Sequence, residues 1–156
     1  MPLVMDQGKR IASGEPQSVL HRPTHGRLAR LVGVENLLRM TVREHREQDG
    51  ITLCTGNGVD LAVPLVDAKV GEEITVGIRA DDIILATSEP TGLSARNRLR
   101  GTVTEVASHG SGCRVVLDCG VLLACHVTRR AVEELGIRPG ATLWAVLKAS
   151  SCFVLV

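Results

Sequence analysis

Short apolar runs, punctuated by glycine, recur at roughly regular spacing along the last third of this chain. They predict strands over residues 97–107, 113–117, 122–127, 143–148 and 152–156. One helix is expected over 129–135, because Gly136 suits a left-handed C-cap. Five short strands with one short helix are typical of a small β-barrel.

Residues 36–88, which precede this section, also contain short apolar runs separated by glycine. Partial alternation predicts a strand over 37–44, and short apolar runs predict strands over 51–55, 61–64 and 73–77. Residues 78–85 resemble a strand of the regulatory domains fused to importer ATPases, which implies a further strand there, and residues 87–92 suit a linker. We therefore expect a mainly β chain of OB-like small barrels, one over 93–156 and a more divergent one over 36–88. No strong sequence repeat relates the two sections.

The opening 35 residues do not resemble the start of an independent fold. Residues 4–14 predict two short strands around the Gln7-Gly8 turn, and two helices are expected over 15–20 and 24–31. Pro23 ends the first helix and Gly33 the second. This hairpin-plus-helix pattern resembles the tail of an ABC-transporter ATPase domain.

Charge and composition narrow the function. The net charge is +1 over 156 residues, but residues 1–92 hold ten Lys/Arg and thirteen Asp/Glu, giving −3, whereas residues 93–156 hold eight and four, giving +4. Only Trp144 and Phe153 are aromatic, which disfavours base-stacking nucleic-acid modules. No apolar run approaches the roughly 18 residues that a membrane span needs.

Two short cationic runs flank the strands of the basic section. Ser94-Ala95-Arg96-Asn97 precedes them, and Lys148-Ala149-Ser150-Ser151 nearly ends the chain. Arg offers a fork of donors, Lys a point charge and Ser a short hydroxyl donor. Neither run contains a carboxylate, so together they favour a site for a small tetrahedral oxyanion.

The same runs carry a family resemblance. Residues 93–103, Val127-Thr128, residues 134–136, Pro139-Gly140 and residues 148–151 resemble, in order and spacing, the molybdate-binding (TOBE) module of molbindins. That module also occurs in the ATP-binding subunit of molybdate ABC importers, and we expect the chain to be the C-terminal regulatory region of such a subunit.

The resemblance implies a ligand and a set of residues that bind it. The implied ligand is molybdate or tungstate, with no further cofactor and molybdenum present only as the oxyanion. The implied oxyanion-binding residues are Ser94, Ala95, Arg96, Asn97, Thr128, Lys148, Ala149 and Ser150.

The resemblance also implies partners. Two chains, or a higher symmetric oligomer, would bind the oxyanion where their modules meet, and excess oxyanion would inhibit transport. The partner at the membrane would be the permease subunit, reached through the full-length ATPase, which places the chain in the cytoplasm, peripheral to the inner membrane. We expect no nucleic-acid partner and no direct membrane span.

Enzymatic motifs are missing from the sequence, which lacks a G-x-x-x-x-G-K-[ST] phosphate loop and a G-x-S-x-G elbow. We therefore expect no ATP hydrolysis by this chain alone.

The alternatives left open are a stand-alone molybdate storage protein, a DNA-binding molybdate regulator, whose winged-helix head is absent here, and the regulatory domain of an importer for another solute such as sulfate.

The remaining candidates for chemistry are weaker. The five cysteines form no C-x-x-C pair, so we expect reduced thiols, mostly in the core. The five histidines are scattered and form no H-E-x-x-H motif. His126 lies close to Thr128 in sequence, but a histidine at such a position more often faces solvent. Asp81-Asp82 is expected to be a pair of charges at a turn or strand end. These patterns predict no metal site.

Overall fold

The structure, a computed structural model, describes residues 3–6, 9–13 and 34–155. Strands β1 (Leu3–Asp6) and β2 (Lys9–Ser13) pair antiparallel, as the opening residues predict. The expected Gln7-Gly8 turn and the expected helices over 15–20 and 24–31 lie outside the described residues.

Strands dominate the rest of the described chain, which confirms the predicted mainly β class. Between the strands lie helix α1 (Arg129–Leu135) and the 3-10 turns Glu47–Asp49, Ala80–Asp82 and Ala149–Ser151. None of the described helices is long and apolar enough to cross a membrane. The strands are β3 (Asn36–Arg46), β4 (Ile51–Gly56), β5 (Val59–Pro64), β6 (Glu73–Ile78), β7 (Ile84–Ala86), β8 (Asn97–His109), β9 (Gly112–Asp118), β10 (Leu122–Val127), β11 (Thr142–Leu147) and β12 (Cys152–Leu155).

These strands form two antiparallel five-stranded sheets that exchange their last strands. The first sheet has the order β12-β6-β3-β4-β5, and the second has the order β10-β9-β8-β11-β7. Strand β7 therefore belongs to the second sheet although it precedes the linker, and β12 belongs to the first sheet although it ends the chain. The predicted domain bounds, which are 1–35, 36–88 and 93–156, stay a prediction. Each sheet contains one strand from the other section of the chain, so the sheets do not coincide with these bounds.

One predicted strand differs in the structure. Residues 78–85 do not form a continuous strand, because β6 ends at Ile78 and the 3-10 turn Ala80–Asp82 follows. The amide of Asp82 donates to the carbonyl of Arg79 at 3.0 Å. This turn carries the chain out of the first sheet, so that β7 can pair with β11 in the second.

Helix α1 matches its predicted bounds because both of its ends carry strong local signals. The hydroxyl of Thr128 caps the helix by accepting from the amide of Ala131 at 3.0 Å. Gly136 ends it with φ 61°, a left-handed conformation that glycine adopts at little cost.

One large apolar core joins the two sheets. Met40 and Val76 of the first sheet and Leu117 and Leu143 of the second are all fully buried members of it. Alternation along β3, in which every second residue from Asn36 to Val42 is buried, sends one face of that strand into this core. The stability of each sheet therefore depends on the other.

Two buried asparagines join the sheets by hydrogen bonds in equivalent ways. Asn36, at the start of β3, donates to the carbonyl of Ala124 in β10 at 2.9 Å and accepts from the amide of Ala124 at 2.8 Å. Asn97, at the start of β8, makes the same pair of bonds with Ala62 in β5, at 2.9 and 2.8 Å. We call these bonds the asparagine clamps.

The repetition extends beyond the clamps. A β-bulge interrupts the pairing of β3 between Val42 and Glu44, and another interrupts β8 between Val103 and Glu105. Both positions lie at the same distance from the asparagine of their own strand. The two sections are therefore structural copies, which agrees with the expectation of a second, more divergent barrel.

We predict that Asn36→Ala destabilises the fold more than a typical substitution on a strand. Ala124 would keep a buried amide and carbonyl without partners, and each such group costs about 1–3 kcal/mol. Urea unfolding would measure this as a lower free energy of unfolding. Thr102→Ala, at an exposed position of β8, is the control and is expected to change it little. Equal stability of the two variants would contradict the role of the clamp.

Candidate functional site

The start of β8 and the end of β11 bring the two predicted cations to one place. Asn97 begins β8 and lies opposite Leu147, the last residue of β11. Arg96 immediately precedes Asn97, and Lys148 immediately follows Leu147. Both cationic side chains therefore belong to the same end of one strand pair, which we call the second corner (residues 94–97 and 148–151).

Asn97 lies at the base of the second corner and is buried. Besides its clamp to Ala62, its amide nitrogen lies 3.9 Å from the sulfur of Cys152. The sulfur of Cys152 in turn lies 3.9 Å from the carbonyl oxygen of Lys148. Burial, together with the nearby Cys54 and Asp82, raises the pKa of Cys152 to about 12, so this group is a neutral thiol. Its contacts with Ala62 and Cys152 thus hold Asn97, and with it the start of β8, in place at the second corner.

Arg96 is exposed, and its guanidinium group turns back onto its own loop. It donates to the carbonyl of Ser94 at 3.2 Å and to the carbonyl of Leu93 at 2.5 Å. With Ala95 it lines a cavity of about 280 Å³. Arg96 therefore shapes the loop that holds Ser94 and Ala95, and it keeps a positive charge at the corner.

Lys148 is exposed and leads into the 3-10 turn Ala149–Ser151, which packs on β5. Ser150, in this turn, lines a cavity of about 410 Å³ that Arg79, Asp81 and Asp82 also line. The two carboxylates come from the other structural copy. The sequence did not predict that these carboxylates lie near Ser150, because neither of them is close to a cationic run along the chain.

Thr128 is separated from these residues. Its hydroxyl caps α1, and the residue lines a different cavity, of about 680 Å³, together with Glu35, Arg79, Asp81 and His126. Four of the eight predicted oxyanion residues thus line three different cavities within one chain. Ala95 and Arg96 share the first, Ser150 lies in the second and Thr128 in the third.

The other structural copy forms a matching corner. Asn36 lies opposite Ile78, just as Asn97 lies opposite Leu147. The residues that flank this pair are Glu35 and Arg79, so Glu35 stands where the second corner has Arg96. Counting along the 3-10 turns, Asp81 stands where the second corner has Ser150. We call residues 34–36 and 79–82 the first corner.

The charged groups of the first corner are closely paired. Arg114 donates to Oε2 of Glu35 at 2.8 Å, and Nε2 of His126 lies 2.8 Å from Oε1 of the same carboxylate. Partial burial alone would raise the pKa of Glu35. The hydrogen bonds and charges of Arg114 and His126 outweigh that effect, so the pKa of Glu35 lies below its usual value.

The fold also brings together two histidines that the sequence left scattered. His109, at the end of β8, stacks on His126 of β10 with ring centroids 4.0 Å apart and planes 23° apart. The hairpin between β8 and β9 creates this contact, since it returns the chain beside β10. An i, i+4 spacing identifies histidines that share one helix face, so it does not detect two histidines on different strands.

Comparison with known proteins finds a family model that matches this region. Residues 93–154, which include the whole second corner, match the TOBE domain model. This part of the chain is therefore similar to TOBE domains, as its motifs predicted.

Longer relatives match nearly the whole chain. A molybdenum import ATP-binding protein ModC of Mesorhizobium japonicum is 32% identical over 156 residues, covering 96% of this chain and 41% of the relative. A molybdate/tungstate import ATP-binding protein WtpC of Pyrococcus abyssi is 31% identical over 149 residues, covering 95% of this chain and 40% of the relative. The chain thus spans about two fifths of the length of these relatives.

A solved structure shares the fold. The cytoplasmic molybdate-binding protein ModG, with molybdate bound, superposes with a TM-score of 0.67 at 29% sequence identity. The match covers 79% of this chain and 96% of that chain. It supports the predicted barrel architecture and the predicted relation to molybdate-binding modules.

Proposed function

We propose that this chain binds molybdate or tungstate as the regulatory region of an importer ATP-binding subunit. The observation that carries the proposal is the second corner. There the pairing of β8 with β11 sets Arg96 and Lys148 at one end of the strand pair, inside the matched TOBE domain. The longer relatives are named as importers of these oxyanions, and ModG is described as binding molybdate.

The donor chemistry of the second corner suits a dianion. Lys148 supplies an exposed ammonium group, Ser150 an exposed hydroxyl, and Arg96 a positive charge held by its own loop. Asp81 and Asp82 oppose anion binding near Ser150, whereas Arg79 in the same cavity offsets part of their charge. The anion therefore belongs on the side of the corner formed by Arg96 and Lys148.

An oligomer explains why one chain spreads the predicted ligands over three cavities. A second copy, or a higher symmetric assembly, would add donors from its own corner to a site that is incomplete in a single chain. The bound dianion would then bridge positive charges from two protomers. This arrangement links the occupancy of the site to the association of the chains.

Regulation follows from that linkage. Oxyanion bound between protomers would favour one arrangement of the importer and hold the ATPase domains apart, so that excess oxyanion inhibits import. The ligand shifts this equilibrium only by the difference in its affinity for the two states. The chain would act in the cytoplasm, beside the inner membrane, and contact the permease through the rest of the ATP-binding subunit.

One alternative has its own supporting observation. The match to ModG covers 96% of that chain, which favours a stand-alone protein that stores the oxyanion. Reading the genome in frame upstream of Met1 for a phosphate-loop motif distinguishes the two. An upstream motif supports the importer subunit, and its absence supports the storage protein.

We predict that Lys148→Ala weakens molybdate binding by roughly 1.5–3 kcal/mol, the scale of a hydrogen bond to a charged group. This corresponds to about a tenfold to hundredfold rise in the Kd, measured by titration calorimetry. Arg96→Ala is expected to weaken binding in the same direction, because it removes the second cation. Arg100→Ala, an exposed cation further along β8, is the matched control. Wild-type affinity in both corner variants would exclude this site.

Selectivity provides a second prediction. Tungstate should compete nearly equally with molybdate, because the two ions share size, shape and charge. Sulfate has shorter bonds, so donors spaced for molybdate reach it poorly. Phosphate near neutral pH carries a proton, and the two runs offer no carboxylate to accept it on the side of Arg96 and Lys148, since Asp81 and Asp82 lie on the other side of the corner, near Ser150. Competition calorimetry measures the order, and displacement of molybdate by equal sulfate would favour a sulfate-type importer.

The oligomer is tested separately. Sedimentation velocity at micromolar protein should show at least a dimer, and molybdate should shift the distribution further toward the associated form. Lys148→Ala should reduce the effect of molybdate while leaving the association of the unliganded chain unchanged. A strict monomer with and without molybdate would refute the shared site.

A further inference from the structure

A cluster of groups that ligate metals lies where Glu35 of the first corner meets two histidines of the second sheet. Glu35, His109 and His126 each offer one ligand atom, and these atoms all lie within 4.8 Å of one another. They line the cavity of about 680 Å³ near the end of β10. Glu35 directly precedes β3 in the first sheet, whereas both histidines belong to the second sheet.

Neighbouring groups hold these ligands in place. Arg114 binds Oε2 of Glu35 at 2.8 Å, which leaves Oε1 directed at His126. The other ring nitrogen of His126 lies 3.2 Å from Oδ1 of Asp81. The His126 side chain is only 15% exposed, and His109 stacks beside it with ring centroids 4.0 Å apart. Because a metal ion lies in the plane of each imidazole that binds it, the exposed His109 ring turns out of this stack when both histidines bind one ion. Such hydrogen-bonded support is typical of metal-ligating histidines and carboxylates.

The ligand atoms of the first corner suit a cation better than an anion. At the equivalent positions of the second corner stand Arg96 and Ser150, which are donors for an anion. The first corner replaces them with Glu35 and Asp81, whose carboxylates are acceptors. Arg79 and Arg114 offset the charge of these two carboxylates, so the preference for a cation comes from the acceptor atoms and the two imidazoles and not from net charge.

We propose that the first corner binds one divalent transition-metal ion through Glu35, His109 and His126. Two imidazoles with one carboxylate form a donor set that Zn²⁺ and Cu²⁺ accept, and a hard cation such as Mg²⁺ prefers oxygen ligands. The ion displaces the direct contact between His126 and Glu35 and connects two residues that lie 91 positions apart in the chain. Asp81 remains bonded to the outer nitrogen of His126 and orients the ring.

The test is titration calorimetry of Zn²⁺ into the whole chain after treatment with a chelator. We expect one ion per chain bound by this cluster, and at least a tenfold loss of affinity in both His109→Gln and Glu35→Gln. His45→Gln is the matched control, because His45 also lies at a sheet surface but contacts Thr52 and Ala68 instead of this cluster. All five cysteines stay in place in each variant, so zinc bound by thiols would be unaffected.

A spectroscopic measurement tests the ligands independently of affinity. With one equivalent of Cu²⁺, the electron paramagnetic resonance spectrum should show coupling to two imidazole nitrogens, and His109→Gln should remove one. His109 is exposed, so this variant should keep the unfolding midpoint of the parent chain in the absence of metal. Unchanged zinc affinity in both cluster variants, millimolar binding only, or an unchanged copper spectrum would overturn the proposal.

Discussion

The structure depends on the two asparagine clamps that join its sheets. Each clamp places a buried side-chain amide against both backbone groups of one alanine in the opposite sheet, at 2.8 and 2.9 Å. A buried amide that lost this partner would cost more than the bonds themselves contribute, so the clamps specify one arrangement of the sheets. Because each asparagine begins the central strand of its sheet, the clamps also determine where the two corners form.

The corners show how one scaffold is used for two electrostatic purposes. Their backbones are equivalent, but the residue before the asparagine is Arg96 in one and Glu35 in the other. The residue in the middle of the 3-10 turn changes from Ser150 to Asp81. Under the two proposals made above, side-chain identity at these positions, with little change in the fold, would determine which ligand each corner binds. The TOBE match covers the cationic corner, which is the part of the chain that its motifs describe best.

Local signals account for what the sequence could predict. The bounds of α1 followed from its cap at Thr128 and its glycine at Gly136, and the strands of the second copy followed from apolar runs between turns. The exchange of β7 and β12 was not predictable in this way, because it depends on pairing between residues far apart in sequence. One consequence is visible at Gly77, where a side chain would collide with the ring of Phe153 from β12. The same reasoning explains why the grouping of Glu35 with His109 and His126 was missed.

The corners are near enough to influence one another, and the sign of that influence follows from charge. Arg79 and Asp81 line both the cavity at the first corner and the cavity that contains Ser150. A cation held by Glu35 and His126 would offset the negative charge of Asp81 in this shared region, which would lower the repulsion that Asp81 exerts on a dianion at the second corner. Linkage requires the effect to be reciprocal, so a bound dianion would also favour the cation. Salt would weaken this coupling, because the side chain of Asp81 is 81% exposed and well screened.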